Sequence, residues 1–173
     1  MERLWSPWRL EYVTGGARKA GCVFCEAAEG LAQQTSAHRP PDPDSLIVHE
    51  GTTCYVILNL YPYNNGHLMV VPHRHVPSLV GLTGEELAEV AMLTQRAEAA
   101  LTEAYQPQGM NVGINLGKAA GAGVEAHVHV HIVPRWNGDT NFMTTVGNMR
   151  VLPEELGATV ARLRPIFARL AST

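Results

Sequence analysis

Apolar residues arrive in short bursts over much of this chain. Runs at 46–49, 54–59, 67–71, 110–116 and 127–133 have strand length and are rich in Val, Ile and Leu, so each predicts a β-strand. Gly15-Gly16, the three prolines between 38 and 44, Asn64-Asn65-Gly66, the Gly/Ala stretch 117–123 and Asn137-Gly138 read as loops. A longer period begins at Thr83. Thr83 followed by Glu86 has the capping-box spacing, in which each side chain satisfies the other's free backbone N–H. Leu87, Val90, Ala97, Leu101 and Ala104 then recur at helical spacing through Tyr105. A second helix is predicted over about 153–171. Pro153 suits its first turn, and Leu156, Val160, Leu163, Phe167 and Leu170 share one face. Pro165 lies inside it and is expected to kink or split it. Strands, a helix, two more strands and a final helix predict an α+β fold. Its expected core is an antiparallel sheet of about five strands with a long helix and a C-terminal helix, rather than a doubly wound parallel sheet.

Composition narrows the classes. At 173 residues the chain has room for one domain, with an N-terminal arm over about 1–20. Hydrophobic content of 46% and charged content of 17% fit a globular protein. A net charge of -3 without a basic stripe argues against a nucleic acid duplex as partner. No apolar run reaches membrane-spanning length, and the N-terminus lacks the apolar core of a secretory signal. Three cysteines do not make a disulfide framework and suit a reducing cytoplasm, so a cytoplasmic location is expected.

The segment His127-Val128-His129-Val130-His131-Ile132-Val133 carries the chemistry. Alternation along a strand puts the three histidines on one face and sends Val128, Val130 and Ile132 to the other. With 8 histidines in the chain, such a triplet is expected by chance roughly 0.02 times. Three readings of it stand open: polar residues facing water, a metal site, and nucleophilic catalysis by an imidazole. The last is natural to histidine, because a ring that is largely neutral near pH 7 offers a nitrogen lone pair to phosphorus.

This pattern resembles the histidine-triad family signature. Pro134-Arg135 after the triad also matches many members. So does the upstream Asn59 with Gly66-His67-Leu68-Met69-Val70-Val71-Pro72, and the resemblance runs from about Cys22 to Trp136. Trp5-Ser6-Pro7-Trp8-Arg9, together with Arg135-Trp136 and Asp139, Asn141 and Phe142, looks like the bacterial branch that contains diadenosine tetraphosphate phosphorylases. The resemblance implies the histidine-triad fold, a homodimer and a nucleotide or dinucleoside polyphosphate substrate. It also implies attack by His129 on the α-phosphate, giving a nucleotidyl-histidine that phosphate or water resolves. His131 and His67 are the accompanying catalytic candidates. Asn59, Asn115, Gly121, Ala122, Gly123, Arg135 and Trp136 are candidates for nucleotide or phosphate binding. The small loop residues are expected to present bare N–H groups to an anion, Arg135 to neutralise a distal phosphate, and Trp136 to stack on a base or wall the phosphate site. One departure stands out. Many triad hydrolases carry a Gln and a hydroxyl residue just before the triad, whereas this chain has Val124-Glu125-Ala126. Phosphorolysis of diadenosine tetraphosphate is the favoured expectation, with dinucleoside polyphosphate hydrolysis and phosphoramidase activity as the alternatives.

Cys22-Val-Phe-Cys25 has the spacing of a zinc half-site. Relatives that carry the pair complete it with a histidine after the Gly-His strand and with the first triad histidine, which implies His75 and His127. His73 is the alternative third ligand. Zinc here is expected to be structural, and His127 as a ligand is then unable to donate a proton. The readings that compete with a nucleotidyl-transferring enzyme are a zinc-dependent hydrolase and a non-catalytic nucleotide-binding protein.

Overall fold

A computed structural model describes residues 21–36, 45–139 and 154–172. The expected N-terminal arm, the proline-rich stretch, Asn141-Phe142 and Pro153 lie outside the described residues. The elements in chain order are α1 (Val23–Ser36), β1 (Ile47–Glu50), β2 (Cys54–Leu58), β3 (Leu68–Pro72), α2 (Gly84–Tyr105), β4 (Gly109–Ile114), β5 (Val130–Arg135) and α3 (Leu156–Ala171). Short 3-10 turns occupy Leu79–Gly81 and Lys118–Ala120. The strands form one sheet in the order β1-β2-β3-β5-β4, and every neighbouring pair is antiparallel. This is the α+β architecture that the pattern predicts.

Both faces of the sheet are covered, which is why β2 and β3 are buried along their full length. On one face Val56, Leu58, Val70, Val130 and Ile132 pack against Leu93, Ala97 and Leu101 of α2 and Leu163 and Phe167 of α3. On the other, Tyr55, Ile57, Met69 and Val71 pack against Phe24 of α1. Since Val130 and Ile132 face the helix pair, alternation turns His129 and His131 toward the α1 side, where His131 pairs with Met69.

The capping box at α2 is complete. Thr83 Oγ1 accepts the Glu86 N–H at 3.2 Å, and Glu86 accepts the Thr83 N–H at 2.7 Å. Helix α3 does not split at Pro165: it runs from Leu156 to Ala171 with the proline inside it. Pro165 and Ala161, whose carbonyl loses its helical donor, are both exposed, so water can satisfy that carbonyl. Meanwhile Leu163 and Phe167 anchor the opposite face in the core. Helix α1 is an element the sequence reading passed over. The last strand also begins later than expected, at Val130, with His127 at a bend and His129 in the irregular segment just before it.

A tertiary contact that has no signature in the sequence holds the β1–β2 turn. Glu89 of α2 accepts from the N–H of Thr52 at 2.7 Å, of Thr53 at 2.5 Å and of Cys54 at 2.9 Å. Burial pushes its carboxyl up, but the Thr53 hydroxyl, which donates to it at 2.5 Å, and these three N–H groups outweigh that and hold it below its ordinary range.

Candidate active site and metal centre

Gly66 starts the site. It has φ +71, and a Cβ there would meet Leu101 Cδ2 at 2.9 Å, so the chain turns tightly against α2 and places His67 just before β3. His67 is fully buried. Its Nδ1 accepts the backbone N–H of Tyr63 at 3.0 Å and faces the Asn59 amide nitrogen at 3.4 Å. Two donors on Nδ1 put the proton of a neutral His67 on Nε2, which lies 3.0 Å from His131 Nδ1. His131 Nδ1 is then the acceptor, and the proton of a neutral His131 sits on Nε2.

The nucleophile candidate is held differently. His129 Nδ1 lies 2.8 Å from the carbonyl oxygen of His127, and only an N–H can satisfy that oxygen. The lone pair is therefore on Nε2. Burial lowers the pKa of His129, with the bond to the His127 carbonyl acting against it. The ring is thus biased toward the neutral, attacking form. The three histidines are not a water-facing stripe: His127 and His129 are 0% and 5% exposed.

An open cleft of about 270 Å³ lies over His129 and His131. Phe24, Leu46, Ile57, Leu58 and Val124 give it apolar walls, and Asn59, Tyr63, Asn115, Gly121 and Gly123 also line it. Mostly apolar walls with a few polar groups beside two histidines suit a small ligand with an aromatic base and a phosphate. Phe24, Leu46 and Val124 escaped the sequence reading, because segments far apart in the chain bring them to the cleft.

Other expected binding residues sit elsewhere. Ala122, Arg135 and Trp136 do not line the cleft. Arg135 is gripped by Asp139, Nε to Oδ2 at 2.6 Å and Nη2 to Oδ1 at 2.8 Å, and reaches Asn111 at 2.7 Å. Its charge is paired with Asp139, outside the cleft. Asp139 also accepts the Trp136 N–H at 3.3 Å. In the Gly/Ala loop, the Gly121 N–H donates to the Lys118 carbonyl at 2.9 Å and the Ala122 N–H to that of Gly117 at 3.3 Å. These two N–H groups close a tight turn instead of standing bare, and Gly121 is needed there for its φ of 84°.

Cys22, Cys25, His75 and His127 converge. Their ligand atoms all lie within 4.8 Å of one another. Cys22 Sγ is 3.4 Å from His127 Nδ1, Cys25 Sγ is 3.3 Å from His75 Nδ1, and Cys25 Sγ is 3.7 Å from His127 Nδ1. A tetrahedral zinc with bonds of about 2.3 Å to sulfur and about 2.0 Å to nitrogen requires ligand separations of roughly 3.3–3.8 Å. The donor set fits the ion in type, and these three sulfur–nitrogen separations fall in that range. His127 Nε2 lies 2.8 Å from the Pro72 carbonyl, which keeps the proton on Nε2 and turns Nδ1 to the cluster. His73 is not part of the cluster; its ring packs on Tyr55 with centroids 5.4 Å apart. Cys54 is buried in the helix-side core.

Comparison with known proteins points the same way. The HIT domain model matches residues 41–138. An AP-4-A phosphorylase of Mycobacterium tuberculosis (strain ATCC 25618 / H37Rv) is 41% identical over 169 residues, 98% of this chain and 86% of that protein. A Zn-bound histidine triad family protein from Mycobacterium smegmatis superposes with a TM-score of 0.66 at 29% identity, covering 88% of this chain and 96% of that one. A hypothetical histidine triad nucleotide-binding protein from Sulfolobus tokodaii strain7 gives a TM-score of 0.63 at 25% identity, covering 86% and 93%. Among the described residues no helix is long and apolar enough to cross a membrane.

Proposed function

This chain is an enzyme of the HIT-domain family, and on that premise we propose that it cleaves dinucleoside polyphosphates by double displacement, with phosphorolysis of diadenosine tetraphosphate as the favoured reaction. One observation carries the reading. The His129 Nδ1–H is committed to the His127 carbonyl at 2.8 Å, which leaves the Nε2 lone pair as the reactive atom of a buried ring under an open cleft.

In the first step Nε2 of His129 attacks the α-phosphorus. An N–P bond forms, the P–O bond of the anhydride breaks, and ATP leaves with the bonding electrons. In the second step an oxygen of inorganic phosphate attacks the same phosphorus, the N–P bond breaks, and ADP departs with His129 restored. The Nε2–H of His131, set by the bond from His67, is the hydrogen-bond donor for the phosphate oxygens as charge builds on them. Asn115 and Gly123 line the same cleft and are the further candidates for holding phosphate.

The likeness to the AP-4-A phosphorylase favours phosphate over water as acceptor. The segment before the triad agrees. Val124 lines the cleft, Glu125 and Ala126 are exposed, and neither a hydroxyl nor a carboxamide stands there. A zinc-dependent hydrolase is less well supported, because His127 alone of the triad belongs to the Cys/His cluster while His129 and His131 face the cleft. When zinc is bound, Cys22, Cys25, His75 and His127 hold it as a structural cross-link between α1 and the start of the triad. A symmetric dimer suits the chain as well. Edge strand β4 and the residues after it expose Val112 and Leu116, at 52% and 46%.

The test is product analysis with diadenosine tetraphosphate while phosphate is raised from zero to millimolar levels. ADP with ATP should rise with phosphate. A product ratio indifferent to phosphate would move the chain to the hydrolase or phosphoramidase side of the family, and nucleotide binding without turnover would make it a binding protein.

A further inference from the structure

Phe24 lies between the two cluster cysteines and is only 4% exposed. Its ring meets His127 edge-on, with centroids 5.4 Å apart, and leans on His129 at 4.8 Å. Its carbonyl accepts the hydroxyl of Tyr55, a fully buried residue of β2, at 2.8 Å. Cys22 stands just before the helix and accepts the Glu26 N–H at 3.0 Å, so the two sulfurs bracket the first turn that carries Phe24. Two paths therefore run from the Cys/His cluster to His129. One passes through His127, whose Nδ1 faces the sulfurs while its carbonyl takes the His129 proton. The other passes through the aromatic ring of Phe24.

We propose that the Cys22, Cys25, His75 and His127 cluster, when it holds zinc, orients the nucleophile, and that Phe24 is the positioning residue that transmits this. The imidazole torsion is broad and nearly two-fold, so a half-turn of the ring exchanges Nδ1 with a carbon. Such a turn would break the bond to His127 and point Nε2 away from its place. A single hydrogen bond restrains this turn weakly, whereas an aromatic ring packed on the imidazole blocks it sterically. Phe24 can block it only while the first turn of α1 stays seated. Cross-linking Cys22 and Cys25 to His127, more than 100 residues along the chain, pins that turn.

The role of Phe24 in reactivity rests on His129 being the nucleophile, but its effect on ring orientation does not. The experiment therefore reads orientation first. Imidazole 15N spectra are recorded on the nucleotide-free protein, with one equivalent of zinc and after chelation, for wild type, Phe24→Leu and Phe24→Tyr. Zinc-loaded wild type should show His129 as one tautomer, with the proton on Nδ1. Phe24→Leu should still bind one zinc per chain and keep its methyl dispersion, yet show exchange between His129 tautomers; Phe24→Tyr should restore the single form. In single-turnover experiments with diadenosine tetraphosphate, Phe24→Leu should slow formation of the nucleotidyl-enzyme by roughly 10-fold or more. Because Phe24 also walls the cleft, this rate is read at saturating substrate, where a change in affinity drops out. A single unperturbed His129 tautomer in folded, zinc-loaded Phe24→Leu would overturn the inference, as would one in folded, zinc-free wild type. If the chelated protein unfolds, the zinc-loaded Phe24→Leu spectrum decides alone. Failure of nucleotidyl transfer in wild type would overturn the proposed reaction and leave the orientation result standing.

Discussion

His67 Nε2 lies 3.0 Å from His131 Nδ1, and the direction of that bond decides which nitrogen of His131 carries its proton. Because Tyr63 already donates to the other nitrogen of His67, the proton is passed outward and His131 becomes a donor at Nε2. His67→Gln approximates the volume of the buried ring and alters the donor. We expect it to lower kcat by roughly 10- to 100-fold, as for a lost orienting partner. Steady-state kinetics check this, and a kcat within two-fold of wild type, taken as about unchanged, would remove His67 from the relay.

His129→Ala should cost several orders of magnitude in turnover, since both displacement steps need its Nε2. Nucleotide affinity should survive, because the apolar walls of the cleft remain. Rapid-quench mass measurement supplies the second readout. Wild type should gain the mass of a nucleotidyl group during turnover, and the variant should not. Appreciable turnover by the variant would assign the chemistry to another residue.

Protein purified without added metal or chelator should carry one zinc per chain. Cys25→Ser should lose most of it, because a neutral hydroxyl replaces a thiolate that lies within 3.7 Å of both histidine donors. Elemental analysis decides. Full zinc content in a Cys25→Ser, His75→Ala double variant would show that the metal sits elsewhere.

The Arg74–Glu86 pair predicts an acid transition. The hydrogen bond from Arg74 is the largest cause holding the Glu86 carboxyl down, to about 2 from an ordinary 4.5, and the capping bonds with Thr83 add to it. Since the folded state prefers the ionised form, this stabilisation is present above pH 4.5. It declines as pH falls through that value and is gone below about 2. Glu86→Gln should therefore destabilise the fold at pH 7 by about 1–3 kcal/mol, with the difference from wild type shrinking as the pH is lowered. Urea unfolding at a series of pH values measures it; a penalty that stays constant across the series would show that charge plays no part.

What the sequence determined by itself is what short-range physics dictates. Period-two alternation at residues 127–133 places His129 and His131 opposite Val130 and Ile132 whatever the rest of the chain does. The capping box at Thr83 and Glu86 is a contact across three residues and was legible as such. The antiparallel α+β architecture followed from the order of the elements. Tertiary structure decided everything that depends on what covers a residue. It buried the triad face under α1, drew His75 rather than His73 to the cysteines, and set Phe24 against the nucleophile. It also bound Arg135 to Asp139 and folded the N–H groups of Gly121 and Ala122 into a turn. The physical reason is range. Backbone geometry repeats every two or 3.6 residues and leaves a mark in the sequence, whereas a contact such as Phe24 to His129 joins distant parts of the chain and leaves none.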